Sequence, residues 1–248
     1  MLNDYSTSFV GRLRSRDPAA WFELWETFGP ILRNQLTKWG QGRLSAETVQ
    51  DLSQETMAAL AGAIDRHDPS KGARFSTWLL AIAKYTLGDE IDRRMAQKRG
   101  AGQKPVSLDP TWDQVGGEAA PDSDYELAVF DAKVEAALRQ VERVSDFVDF
   151  SVYRARVLDG RSGREVSQDL GVSEATVSRK LAGVRERVQA ALGEIISKYS
   201  FTEDEMEEAR RNGIDPVPNK GGESLFDDAI GEIYHRLMAR RREQEAGL

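Results

Sequence analysis

Cysteine is absent from all 248 residues, which excludes disulfides and thiolate metal sites. Histidine occurs only at His67 and His235, too few for a multi-histidine metal centre. No apolar run approaches the roughly 20 residues that span a bilayer, and the opening stretch MLNDYSTSFVGRLRSR lacks the apolar core of a signal peptide. The expectation is a soluble, cytoplasmic protein without membrane insertion. No P-loop, dinucleotide fingerprint or nucleophile elbow occurs. Glu232 and His235 have the Glu-x-x-His spacing of a di-iron helix, but such sites need two of these helices and there is no second copy. The chain is therefore expected to be no enzyme, with no catalytic residue, metal or cofactor. The formal net charge of −7 argues against coating DNA by bulk charge. It leaves room for local basic patches and for a larger basic partner that holds most of a nucleic acid.

What is present reads as helix nearly throughout, with no alternating strand pattern bounded by turns. The expected fold class is all-α. Two small helical domains, 1–100 and 125–198, are joined by a flexible linker over 101–124, and a helical extension follows over 199–248. Asp17-Pro18 is an N-cap followed by proline at the first helical position. Trp21, Trp25, Phe28 and Leu32 then recur at helical spacing, as core residues do. Ser45 can cap a second helix, with Leu52, Thr56, Ala59 and Ala63 inward and Asp51 and Glu55 one turn apart outside. A loop over 68–72 precedes a helix starting near Phe75, which carries Trp78, Ile82 and Leu87 inward and ends in Arg93, Arg94, Lys98 and Arg99. The stretch 105–126 is rich in Gly, Pro, Ser and acidic residues and holds no Lys or Arg. Helices resume near Tyr125, with Leu127, Val134, Leu138 and Val141 on one face, and another runs from about Asp146 to Asp159.

The segment GREVSQDLGVSEATVSRKLAGVRERV, Gly163 to Val188, has the pattern of a helix-turn-helix. The first helix runs from about Ser162 to Leu170. Gly171 sits where a tight turn needs positive φ, and small Ser167 lies where two crossing helices come close. Ser173 caps the second helix, and Val177, Leu181, Val184 and Val188 form its buried stripe. The opposite face presents Glu174, Ser178, Arg179, Ala182 and Arg185, with Lys180 at the edge. Such a helix fits the major groove of DNA with its N-terminal half against base edges. The candidate contacts are Ser173, Thr176, Ser178, Arg179, Lys180, Ala182 and Arg185, with Arg185 and Arg187 suited to the backbone.

The motif DLSQET, Asp51 to Thr56, followed by GARFSTWLLAIAK, Gly72 to Lys84, joins this segment in a resemblance to small bacterial sigma factors of the extracytoplasmic-function group (group IV). The resemblance covers about Asp17 to Arg99 for the second conserved region and Tyr125 to Leu192 for the fourth. It implies core RNA polymerase and promoter DNA as partners. Asp51, Gln54 and Glu55 would grip the polymerase clamp. The −10 element would meet Asp68, Ser70, Lys71, Arg74, Phe75, Lys84, Tyr85, Arg93 and Arg94, and the −35 element the helix-turn-helix. Extruding a base costs a few kcal/mol, and polar loop groups with Phe75 could hold one; Phe75 and Trp78 could equally be core residues that brace the loop. The acidic linker would thread the polymerase cleft as an RNA mimic, or serve as a solubilising tether. Gln50 stands where an acidic residue often precedes Asp51, and phosphorylation of Thr48 could supply that charge.

Beyond Tyr199, Thr202 and Glu205 have capping-box spacing, Asn212-Gly213 is a stop, and 215–218 is a Pro-rich spacer. Ser224 can cap a last helix with Phe226, Ile230, Ile233 and Leu237 in one stripe and Arg240, Arg241 and Arg242 at its end. That stripe should pack on the helix-turn-helix domain, on the second region or on a regulator. The tail is expected to modulate activity, replacing or supplementing an anti-sigma factor or another regulator. The rival reading is a stand-alone helix-turn-helix regulator that binds operator DNA by itself.

Overall fold

The computed structural model describes residues 4–40, 43–66, 74–99, 123–199 and 222–246. Among them every regular element is helical. None of these helices is long and apolar enough to cross a membrane. The linker expected over 101–124 lies outside the described residues up to 122, as do the capping box at Thr202, the stop at Asn212-Gly213 and the spacer at 215–218. Contacts divide the chain into two compact units. One comprises residues up to Val129 with Lys198 and Tyr199; the other comprises Phe130–Ser197 and the last helix.

The first unit is built on α1 (Asp4–Arg14), α2 (Pro18–Gly40), α3 (Ala46–Ala63) and α4 (Phe75–Arg99). Asp17 accepts from the Ala19 amide at 2.9 Å and so caps α2 ahead of Pro18. Ser45 caps α3 by accepting from the Thr48 amide at 3.2 Å. Helix α2 continues through Pro30, because Thr27, Phe28, Gly29, Ile31 and Leu32 on both sides of it are buried. That burial outweighs the lost backbone hydrogen bond. The core joins Leu32 and Leu36 of α2, Val49 and Leu52 of α3, and Ala83 and Leu87 of α4. The hydroxyls of Thr56 and Thr86 meet at 2.8 Å between α3 and α4, so each is satisfied in an apolar setting.

Several core expectations shift by one residue. In α2 the buried stripe is Ala20, Leu24 and Phe28, while Trp21 and Trp25 lie half-buried on its shoulder. The Trp21 indole donates to the Leu13 carbonyl at 3.1 Å, so a polar edge holds it there. In α3 the inner face is Val49, Leu52, Ser53, Thr56 and Leu60; Ala59 and Ala63 are only half-buried. Larger side chains, not alanines, fill the space against α4. Trp78 is likewise half-buried.

The second unit carries α5 (Ser123–Val144) from Phe130, α6 (Phe147–Tyr153), α7 (Gly163–Leu170), α8 (Glu174–Tyr199) up to Ser197, and α9 (Glu223–Ala246). Asp146 caps α6 through the Val148 amide at 2.9 Å. Helix α6 widens into a π-helical turn, Arg154–Leu158, closed by the Asp159 amide on the Arg154 carbonyl at 2.9 Å. Val152, Val166 and Val177 pack together with Ala155, Val172 and Leu181 around them. Helix α9 buries Phe226, Ile230 and Ile233 within this unit, and Leu237 is half-buried. The last stripe thus packs within the unit that carries α7 and α8, against the π-helical turn.

Candidate functional site

In the second unit, four local devices hold α8 in place. Ser162 and Glu165 form a capping box at the start of α7. The Ser162 Oγ accepts from the Glu165 amide at 3.2 Å, and Glu165 Oε2 accepts from the Ser162 amide at 2.7 Å. The Ser162 hydroxyl, which donates to Glu165 Oε2 at 2.6 Å, and then the Ser162 amide hold the Glu165 carboxyl below its ordinary value. Gly171 then takes φ 64°, the left-handed conformation that a β-carbon penalises. The Ser167 hydroxyl donates to the Val172 carbonyl at 2.6 Å, tying the turn to α7. Finally, the Ser173 Oγ accepts from the Thr176 amide at 3.2 Å and starts α8.

The result leaves Ser173, Glu174, Ala175, Ser178 and Arg179 exposed at the N-terminal half of α8. Thr176, half-buried, braces Arg179, whose Nη2 lies 3.3 Å from the Thr176 hydroxyl. The other expected cations are engaged within the protein. Lys180 pairs with Asp149 of α6, which also takes Arg187 at 3.3 Å. The hydrogen bond from Lys180, then that from Arg187, hold the Asp149 carboxyl below its ordinary value against the opposing effect of burial. Arg185 is turned away from solvent: its side chain is 11% exposed, and Asp227 and Glu223 of α9 occupy its nitrogens at 2.5–3.0 Å. Ala182 is half-buried. The open face expected over Ser178, Arg179, Ala182 and Arg185 is therefore open only in its first half. An acidic residue 42 positions away in sequence claims the rest.

In the first unit, Asp51, Gln54 and Glu55 are all exposed on the outer face of α3. Asp51 and Glu55, without Gln54, border a cavity of about 340 Å³ lined also by Thr48, Leu52, Glu90, Arg93 and Arg94. Glu90 is buried and holds both arginines, taking Arg94 Nε at 2.6 Å and pairing with Arg93. Arg94 Nη2 also donates to the Thr48 hydroxyl at 2.9 Å, and Arg93 lies 3.9 Å from Glu55. Residues expected at the polymerase surface and residues expected at the −10 element thus share one cleft between α3 and α4. Glu90 itself was missed, although its i,i+3 and i,i+4 spacing to Arg93 and Arg94 is visible in sequence.

The remaining −10 candidates divide. Asp68, Ser70 and Lys71 lie outside the described residues, as does His67. Arg74 is paired with Glu126 at 2.8 Å. The Lys84 ammonium is exposed, 5.9 Å from the centre of the Trp39 ring. Tyr85 is half-buried and bonded to Asp89, whose carboxyl is pushed up, chiefly by burial. Phe75 requires correction as a base-stacking surface: it is fully buried, with its ring 5.3 Å from Phe28 and 6.0 Å from Trp78. Its role is to brace the start of α4. Tyr125 adds a second brace there, its hydroxyl donating to the Ser76 carbonyl at 2.9 Å. Among the described residues no group of three His, Asp or Glu side chains is arranged to hold a metal ion.

Residues 24–97 match the family model of Sigma-70 region 2. The matched span runs from α2 to α4 and contains the whole of the α3–α4 cleft. No curated protein matches the chain.

Proposed function

We propose that this chain is a sigma factor of the extracytoplasmic-function type. It binds core RNA polymerase and directs initiation at promoters with −35 and −10 elements. The observation that carries the reading is the Sigma-70 region 2 match over residues 24–97. On that reading Asp51, Gln54 and Glu55 meet the polymerase clamp. Lys84, Tyr85, Arg93 and Arg94 of α4, with Asp68, Ser70, Lys71 and Arg74, serve the −10 element. Arg93 and Arg94 must then exchange Glu90 for phosphate, or act by holding the clamp-binding face in shape. The bond-forming chemistry belongs to the polymerase, and the protein acts where polymerase and DNA are, in the cytoplasm.

The α7–α8 pair supports −35 recognition by presenting Ser178 and Arg179 at the solvent end of a rigidly capped helix. Bidentate arginine contacts to guanine are the commonest specific contact in the major groove. Phosphorylation of Thr48 remains part of the proposal: its hydroxyl already lies beside the Arg94 guanidinium, so a phosphate there would gain a charge partner. An anti-sigma factor or another regulator would act on either unit.

The test is run-off transcription from fragmented genomic DNA with purified core enzyme, mapping transcript 5′ ends. Transcripts that require the chain and share two upstream elements support the reading. A chain that footprints symmetric half-sites alone and adds no transcripts with core enzyme supports the stand-alone regulator instead.

A further inference from the structure

Arg185 lies on the face of α8 that carries Ser178 and Ala182, since residues three and seven apart share one side of a helix. In this structure that face is closed at Arg185 by the first turns of α9. Asp227 takes Nε at 2.9 and 3.0 Å and Nη2 at 2.5 Å, while Glu223 takes Nη1 at 2.8 Å. All three guanidinium nitrogens are thus spent on two carboxylates. The arrangement is the one a guanidinium makes with a phosphate, two parallel bonds to one oxyanion and a third to its neighbour.

The rest of α9 is held elsewhere in the second unit. Asp131, fully buried on α5, receives Arg236 at 2.6 and 2.9 Å and Arg240 at 2.7 Å, and Arg241 pairs with Glu135. Ile230 and Ile233 are buried between the two charged clamps. At the N-terminal turn Glu223, Ser224 and Leu225 are exposed, and the turn is held by buried Phe226 and by the bonds of Glu223 and Asp227 to Arg185. Displacing the start of the helix would break the Arg185 clamp and expose Phe226, while the bonds of Arg236, Arg240 and Arg241 hold its C-terminal half.

We propose that the first two turns of α9 are a built-in competitor of duplex DNA, with Asp227 and Glu223 holding Arg185 in the place of backbone phosphate. Duplex binding by α8 displaces these turns and frees Arg185 as a phosphate contact. This rests on the reading of α8 as a DNA-binding helix, and it makes the tail an intramolecular brake on the second unit.

The experiment uses the full chain and a mixed-sequence duplex of about thirty base pairs, with affinity measured by fluorescence anisotropy across a salt series. The double variant Glu223→Gln, Asp227→Asn should bind about fivefold or more tightly at low salt. It should steepen the salt dependence by about one phosphate contact. Adding Arg185→Ala to that variant should abolish both gains. Equal affinities and equal salt slopes would overturn the proposal. Should the double variant fold poorly, hydrogen exchange of the wild-type chain decides. Residues 223–230 should exchange faster with duplex bound, and unchanged protection at saturating duplex overturns the idea. Run-off transcription in parallel separates the two failures. Transcripts without any affinity gain sink only the competitor, whereas no transcripts and no duplex binding by any variant sink the DNA-binding reading with it.

Discussion

At Gly171 the backbone adopts φ 64°, and two residues later the Ser173 hydroxyl caps α8. Gly171→Ala should cost about 1–2 kcal/mol, and Ser173→Ala about 1 kcal/mol. Urea unfolding of the full chain, read for the second unit, checks both. These residues are legible in sequence because their roles depend on the chain within three or four positions. Phe75 is the opposite case. Its aromatic ring beside a polar loop fits a base platform and a core brace equally well, and only the packing of Phe28 and Trp78 against it decides. Phe75→Ala should therefore lower stability by about 3–5 kcal/mol, and promoter opening should fall in step with the folded fraction. Normal stability with lost opening would contradict the core assignment. Arg179 is exposed, and among the described residues Thr176 and its own helix backbone brace it. On the proposed reading, Arg179→Ala should leave the melting temperature unchanged and weaken −35 discrimination by about 1–3 kcal/mol, seen as redistribution of start sites.

Helix α9 crosses the π-helical turn so closely that a β-carbon on Gly231 would lie 2.8 Å from the Val157 carbonyl oxygen. That neighbour is backbone and cannot step aside. Gly231→Val should lift α9 and destabilise the second unit by about 1–3 kcal/mol, measured as a lower melting midpoint. The tie between α6 and α8 has a pH signature. Asp149 is held below its ordinary value by Lys180, so its stabilising contribution is complete above the unfolded carboxyl value near 3.9. It is lost as the pH falls through the lower folded value, because the unfolded chain then takes the proton first. An acid titration followed by circular dichroism should show this loss, and Asp149→Asn should lack that component. The apolar stripe of α9 was readable from its spacing. Its partner was not, since amphipathicity states that a face needs burial and says nothing about what buries it.

Across the molecule, the match of residues 24–97 to Sigma-70 region 2 and the capped α7–α8 pair support one reading of initiation, with polymerase docking as its first step. Asp51 and Glu55 are exposed, so replacing both with alanine should leave folding unchanged while reducing core-polymerase association several-fold, as in interfaces where rim charges govern encounter. Equilibrium binding to purified core enzyme at two ionic strengths measures this. The sequence by itself determined the all-helical class, the caps at Asp17, Ser45 and Ser173, and the positions of α7, its glycine turn and α8. Each of these follows from hydrogen bonds and periodicity within a few residues. Only the tertiary structure decided which cations remain open. Arg185 meets carboxylates 38 and 42 positions away, Lys180 meets one 31 away, and the buried Asp131 gathers arginines more than a hundred positions downstream. A cation's charge is written in the chain, but the partner that neutralises it is chosen by packing.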